Sequence, residues 1–106
     1  MMKEVTPAEV KERIESRDIQ VVDIRSPAEF KRGHIPGAIN IPMMELPVRV
    51  SEVDWGDEIV CACPIGQSSI QAARLLASFE GVPDDASVAS MEGGYEAWDY
   101  ELEHEC

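Results

Sequence analysis

One stretch constrains this chain more than any other: Ile59-Val60-Cys61-Ala62-Cys63, followed by Pro64-Ile65-Gly66. A short apolar run closed by Pro and Gly is the pattern of a buried strand running into a loop. Beyond the loop, Ile70, Ala73 and Ala77 fall on one stripe with Leu76 and Phe79 beside it, while Gln71, Arg74 and Ser78 line the other side. That spacing predicts an amphipathic helix ending near Phe79. Cys63 therefore stands where a strand ends and a helix begins. In an open α/β sheet this edge is the crevice where ligands bind. Loop amides and the positive end of the helix dipole converge there and favour a thiolate over a thiol. Cys63 is accordingly the candidate nucleophile, and a carrier of sulfur.

The rest of the chain alternates in the same way. Lys3-Glu4-Val5 reads as a first strand, and Thr6-Pro7-Ala8-Glu9 as a capping box opening a helix to about Ser16. Ile19 to Ile24 forms the next strand, its β-branched Val21-Val22 suited to burial on both faces. Ser26-Pro27-Ala28-Glu29 repeats the capping device, and Gly33 ends that helix. Ile39-Asn40-Ile41 is a short third strand, Glu58 to Ala62 a fourth, and Ser87 to Met91 a fifth. From Pro42 to Trp55 the chain is irregular but apolar, which suggests a short helix over one sheet face and one wall of a cleft. Gly93-Gly94 turns into a last helix carrying Tyr95, Trp98 and Tyr100, with Trp98 a core anchor; the acidic end, Glu101 to Cys106, is expected to fray.

Several residues near the strand ends are read as scaffold. Asp23 and Arg25 share the edge with Cys63 if the sheet is parallel, and a guanidinium bonded to Glu29 or Asp23 ties loop to helix. His34, between Gly33 and Ile35 in a turn, reads as a hydrogen-bonded fastener rather than a proton shuttle.

Length and charge bound the class. The 106 residues suffice for one domain with a single core, and no apolar run is long enough to cross a bilayer. The amino terminus does not resemble a signal peptide, so a cytoplasmic location is expected. A formal charge of -12 argues against nucleic acid and anionic membrane as partners. Two readings of that charge stay open: an ordinary acidic cytosolic protein, or one adapted to a salt-rich cytoplasm that screens its self-repulsion. Three cysteines, Cys61, Cys63 and Cys106, are too few for a disulfide framework, and the Cys61-x-Cys63 pair, without a second cluster or nearby histidines, is a weak zinc signal. No metal and no cofactor is expected. Cys61 reads as a small inert hydrophobe, and Cys106 as a remote candidate to resolve an intermediate on Cys63.

Strands alternating with helices predict an α/β fold with a mostly parallel sheet and helices on both faces. Val22-Asp23-Ile24-Arg25, then Glu29-Phe30, then Gly33-His34-Ile35-Pro36-Gly37-Ala38-Ile39-Asn40-Ile41-Pro42, resembles the first signature of single-domain rhodaneses. Gly93-Gly94-Tyr95-x-x-Trp98 resembles their closing signature, with Cys63 in register between the two. The resemblance spans nearly the whole chain. It implies a five-stranded sheet and a sulfurtransferase whose cysteine takes sulfane sulfur from a small donor or a protein persulfide, then passes it to a thiophilic acceptor. The amides of Ile65, Gly66, Gln67, Ser68 and Ser69 would surround the bound sulfur as a nest, with Gly66 supplying the backbone freedom to turn them inward.

The chain departs from that pattern at two places. Family members that favour thiosulfate usually carry arginine immediately after the cysteine and again at the fifth position, where this chain has Pro64 and Ser68. Two missing charge-assisted contacts, each worth about 1.5 to 3 kcal/mol, predict weak use of thiosulfate. Related phosphatases need arginine six residues after the cysteine, where Ser69 stands, so phosphate-ester chemistry is not expected. The competing reading is a rhodanese-like binding or regulatory module without turnover. Oligomeric state is not readable from the sequence.

Overall fold

The computed structural model describes residues 3–16 and 19–104. Five strands, β1 (Lys3–Val5), β2 (Gln20–Asp23), β3 (Ile39–Asn40), β4 (Glu58–Ala62) and β5 (Ser87–Met91), form one sheet in the order β1-β5-β4-β2-β3. Every pairing is parallel. The strand that carries the sequence toward Cys63 is thus the middle of the sheet, flanked by β5 and β2.

Alternate residues of the strands enter two separate cores. Val22, Ile59, Cys61 and Val88 pack on one face beneath Ala72, Ala73 and Leu76 of α4 (Ser68–Ala77). Val21, Val60, Ala62 and Ala89 pack on the other face with Val10 of α1 (Pro7–Ser16) and Trp98. The period of two along a strand sends neighbours to opposite faces, and burial of both explains why these strands lack polar alternation.

Both capping boxes form. The Thr6 amide donates to Glu9 Oε1 at 3.1 Å, and the Glu9 amide donates to Thr6 Oγ1 at 3.2 Å. Ser26 and Glu29 make the same reciprocal pair at the start of α2 (Pro27–Arg32). Arg13 and Glu58 form an ion pair joining α1 to the start of β4.

Residues 42–55 form the short helix expected there, α3 (Leu46–Arg49), between two 3₁₀ turns, with Leu46, Val50 and Trp55 in the core beside α4. Three details differ from the sequence reading. The buried stripe of α4 is Ser69, Ala72, Ala73 and Leu76, and Ala77 is exposed: the helix is rotated so that its first turn faces the sulfur site. The expected last helix is only a 3₁₀ turn, Gly94–Ala97, because Trp98 is already extended. Trp98 is buried as expected. The acidic end is tied down as far as Glu103, which exchanges backbone hydrogen bonds with His34 at 2.8 and 2.9 Å. Cys106 lies outside the described residues. Among the described residues no helix is long and apolar enough to cross a membrane.

Candidate active site

Cys63 follows β4 directly, and its sulfur is the acceptor for the loop that comes next. The Gly66 amide lies 3.0 Å from Cys63 Sγ, the Ser69 amide 3.3 Å, and the Ser69 hydroxyl 3.2 Å. Gly66 sits at φ +89°, which turns its N–H back toward the sulfur; a Cβ there would stand 2.9 Å from the Gly93 nitrogen. Ser69 belongs to the first turn of α4, where amides have no partner inside the helix and the dipole favours negative charge.

These contacts decide the protonation of the sulfur. Burial pushes the Cys63 thiol up, but the Ser69 hydroxyl and the amides of Ser69, Gly66 and Ile65 together bring it below its ordinary value. Cys61, two residues earlier and within β4, has no such donors among the described residues. Its thiol is pushed up to about 12, first by burial and then by the neighbouring Cys63. Two cysteines two positions apart are therefore shifted in opposite directions, Cys63 toward the thiolate and Cys61 toward the thiol.

Of the five loop residues expected around the sulfur, the amides of Gly66 and Ser69 point at it, and the Ile65 amide acts on it from slightly further off. The amides of Gln67 and Ser68 have no acceptor among the described residues. Pro64, Ile65, Gln67 and Ser68 are exposed, whereas Cys63 is only 1% exposed. The sulfur is thus buried beneath a loop whose outer residues face solvent, a cup in the sense of the amides that surround it. A 280 Å³ cavity lined by Lys11, Ile14, Pro36, Trp98 and Tyr100 borders the other core and is separate from this cup.

The scaffold residues form a second cluster on the same sheet edge. Asp23 is fully buried and pairs with Arg25, whose Nη2 donates to Oδ2 at 2.7 Å and to the Gly33 carbonyl at 2.7 Å. Asp23, not Glu29, is the partner of Arg25; Glu29 is occupied by the Ser26 cap. His34 Nδ1 bonds the Phe30 carbonyl at 2.8 Å and its ring stacks on Phe30, the fastener its position suggested. Asp23, Arg25, Glu29 and His34 therefore hold loops, and none bonds Cys63 among the described residues.

Two parts of the site were not singled out from sequence. Gly94 meets the cysteine loop so closely that a Cβ would lie 2.2 Å from the Cys63 carbonyl oxygen. The Tyr95 and Glu96 amides then donate to the Cys63 and Pro64 carbonyls at 2.8 and 3.0 Å. Ser90 of β5, fully buried, lies 2.6 Å from the Ser69 hydroxyl. The Gly93-Gly94-Tyr95 motif was the available signal for the first; a lone serine in a strand carries none.

Fold and loop together define a parallel α/β protein that holds a cysteine, bonded by loop amides, at the strand-to-helix junction of its central strand. The chain belongs to the rhodanese-like domain family, whose model matches residues 6–101. It is 34% identical over 99 residues to a sulfurtransferase of Allochromatium vinosum, a match covering 92% of this chain and 89% of that protein. It is 32% identical over 97 residues to the thiosulfate sulfurtransferase GlpE of Pseudoalteromonas translucida, again covering 92% of this chain and 89% of the other. The crystal structure of a rhodanese-related protein from Thermoplasma volcanium superposes with a TM-score of 0.81 at 25% identity, covering 95% of this chain and 97% of that one. At the level of the family these likenesses support a rhodanese-like sulfurtransferase.

Proposed function

We propose that this protein is a sulfurtransferase that carries sulfane sulfur as a persulfide on Cys63. The observation that carries the reading is the pair of amides, Gly66 and Ser69, that donate to Cys63 Sγ within 3.3 Å, with the Ser69 hydroxyl bonded to the same sulfur at 3.2 Å and able to donate once the sulfur has lost its proton. In the first half-reaction the Cys63 thiolate attacks the sulfane sulfur of a donor. A Cys63 S–S bond forms, the donor's bond to that sulfur breaks, and the electron pair leaves with the donor as sulfite or a thiolate. In the second half, a thiophilic acceptor attacks the outer sulfur and the electron pair of the S–S bond returns to Cys63. Atoms and electrons balance without an external oxidant or reductant, as in any two-step covalent transfer.

The outer sulfur carries the negative charge of the intermediate. Once it stands one bond beyond Cys63 Sγ, the amides of Ile65, Gln67 and Ser68, which have no hydrogen-bond acceptor among the described residues, are the donors left to receive it. Exposed Pro64 and Ser68 place no cation at the mouth of a chain whose formal charge is -12. A small dianion is thus received by dipoles alone, and thiosulfate is a poor donor. A protein persulfide, which brings its sulfur as a single slender group, suits a cysteine only 1% exposed. The same charge disfavours nucleic acid and anionic membrane as partners, and a thiol chemistry of this kind belongs in a reducing compartment such as the cytoplasm.

The missing arginines also favour a second reading, a binding or regulatory module without turnover. Sulfur loading separates the two. Incubation with a protein persulfide donor should add one sulfur atom to the peptide containing Cys63, and Cys63→Ser should add none. An unmodified Cys63 peptide under those conditions would leave the binding module.

A further inference from the structure

Behind the amide cup lies a line of three heteroatoms that the transfer chemistry does not by itself require. Cys63 Sγ is 3.2 Å from Ser69 Oγ, and Ser69 Oγ is 2.6 Å from Ser90 Oγ. Both serines are fully buried, and Ser90 Oγ has no further partner among the described residues. The line ends at β5, in the strand position directly beside Cys61.

Counting protons along the line shows which state it suits. Two links take two hydrogens. When the sulfur is a thiol, the three groups hold three hydrogens, and one of them finds no acceptor within the line. When the sulfur bears no proton, Ser90 donates to Ser69, Ser69 donates to the sulfur, and both links are filled. That condition holds for the thiolate and equally for the inner sulfur of a persulfide. A buried hydroxyl left without its bond is costly, and a donor that itself accepts a hydrogen bond is a stronger donor.

We propose that Ser90 is a positioning residue for Cys63: its hydroxyl holds the Ser69 hydroxyl in the donor orientation, so that the buried line is complete only when the sulfur carries no proton. The inference rests on the reading of Cys63 as the sulfur nucleophile, and it gives that site a component outside the loop. Ser90 touches neither donor nor acceptor and acts only through Ser69. Charged groups on the surrounding elements are exposed Lys3 and Glu4 of β1, the latter in register with Ser90, Glu58 of β4, paired with Arg13, Asp23 of β2, paired with Arg25, Arg74 on the exposed side of α4, and Glu92 and Glu96 after β5. The titratable neighbour on β4 is Cys61, whose pKa of about 12 keeps it protonated. None of these changes in a Ser90 variant.

The test follows the pH dependence of Cys63 alkylation by a small haloacetamide, mapped by peptide mass, in the full chain. Ser90→Ala should move the midpoint upward by about half to one pH unit and slow alkylation below it about three- to tenfold. Ser90→Thr, which keeps the hydroxyl on a residue at home in strands, should restore the wild-type midpoint. On a Ser69→Ala background, Ser90→Ala should add no further shift, because its only route to the sulfur is gone. Thermal melts of each variant identify any general loosening, which lowers the melting temperature without moving the midpoint. A Ser90→Ala profile that superposes on wild type, or an equal shift with and without Ser69, overturns the proposal. Sulfur loading of the wild type is read in the same samples. If it loads and the midpoint does not move, Ser90 alone has been misread; if the midpoint moves and nothing loads, the relay stands and the transfer reading falls.

Discussion

The Tyr95 phenol donates to Asp23 Oδ2 at 2.8 Å and accepts the Ile35 amide at 3.1 Å, while the Tyr95 backbone amide holds the Cys63 carbonyl at 2.8 Å. One residue thus fastens the cysteine loop to the buried Asp23–Arg25 pair. The Arg25 guanidinium completes the joint by lying 3.6 Å above the Tyr95 ring. Burial, then the Asp23 charge, pushes the Tyr95 phenol above its ordinary value, so it stays a donor at any physiological pH.

Tyr95→Phe keeps the ring under Arg25 and removes only the hydroxyl. The buried Asp23 carboxylate loses one donor but retains Arg25, so the loss in unfolding free energy is expected at about 1 to 3 kcal/mol. Urea denaturation measures it. Asp23→Ala should cost more, about 3 to 5 kcal/mol, because it leaves the largely buried Arg25 guanidinium without its counter-charge. Equal losses in the two variants would contradict the assignment of Arg25 as Asp23's partner.

Gly94→Ala tests the contact between the closing turn and the sulfur loop. The added Cβ would lie 2.2 Å from the Cys63 carbonyl oxygen and 2.7 Å from the Gly66 nitrogen, both of them backbone atoms with no flexible end to move aside. The loop must shift, and a misplacement of this order is expected to slow sulfur loading about a hundredfold. The rate is read by mass spectrometry over time. Loading at the wild-type rate in a folded Gly94→Ala protein would show that the loop geometry does not govern the reaction.

Restoring charge on the loop tests the account of donor choice. Pro64 and Ser68 are exposed, so arginines there should cause little packing strain. Pro64→Arg with Ser68→Arg should raise kcat/KM for thiosulfate about tenfold per arginine, and added salt should erode the gain. A steady-state assay that finds no increase would mean that something other than missing cations limits thiosulfate use.

The two cysteines respond to pH with opposite signs. Cys63 is held below its ordinary value in the folded protein, so its contribution to stability is fully present above the unfolded-state thiol value and is lost as pH falls through the folded one. Cys61 is raised to about 12, so its contribution is fully present below the unfolded-state value and is lost as pH rises toward about 12. Alkylation near neutral pH should therefore label Cys63 and leave Cys61 untouched, with the Cys63 rate levelling off at a lower pH than a free thiol. Equal labelling of the two, or a Cys63 midpoint at the free-thiol value, would contradict the cup of donors.

How much of this was legible in the chain depends on whether a feature is local. The bounds of β4 and β5 match the sequence reading residue for residue, and both capping boxes were written in four consecutive residues. The strand-loop-helix unit located Cys63 at the sheet edge for the same reason. What was not legible came from contacts between distant positions. Ser90 meets Ser69 across 21 residues, Tyr95 meets Asp23 across 72, and neither pairing leaves a trace in local periodicity. The buried stripe of α4 was drawn from apolar spacing alone, through Ile70, Ala73 and Ala77, which leaves out Ser69, a polar residue held in the core by its bonds to Cys63 and Ser90. The anchoring of the chain as far as Glu103 follows from the His34–Glu103 bridge, which a count of acidic residues does not foresee.

The central claim is that Cys63 takes up one sulfur as an anion within its cup of amides. Intact-protein and peptide mass spectrometry after exposure to a protein persulfide donor tests it most directly. The account predicts one added sulfur, confined to Cys63, removed by a thiophilic acceptor and absent in Cys63→Ser. No added mass, or sulfur that loads equally well when Cys63 is serine, would contradict it.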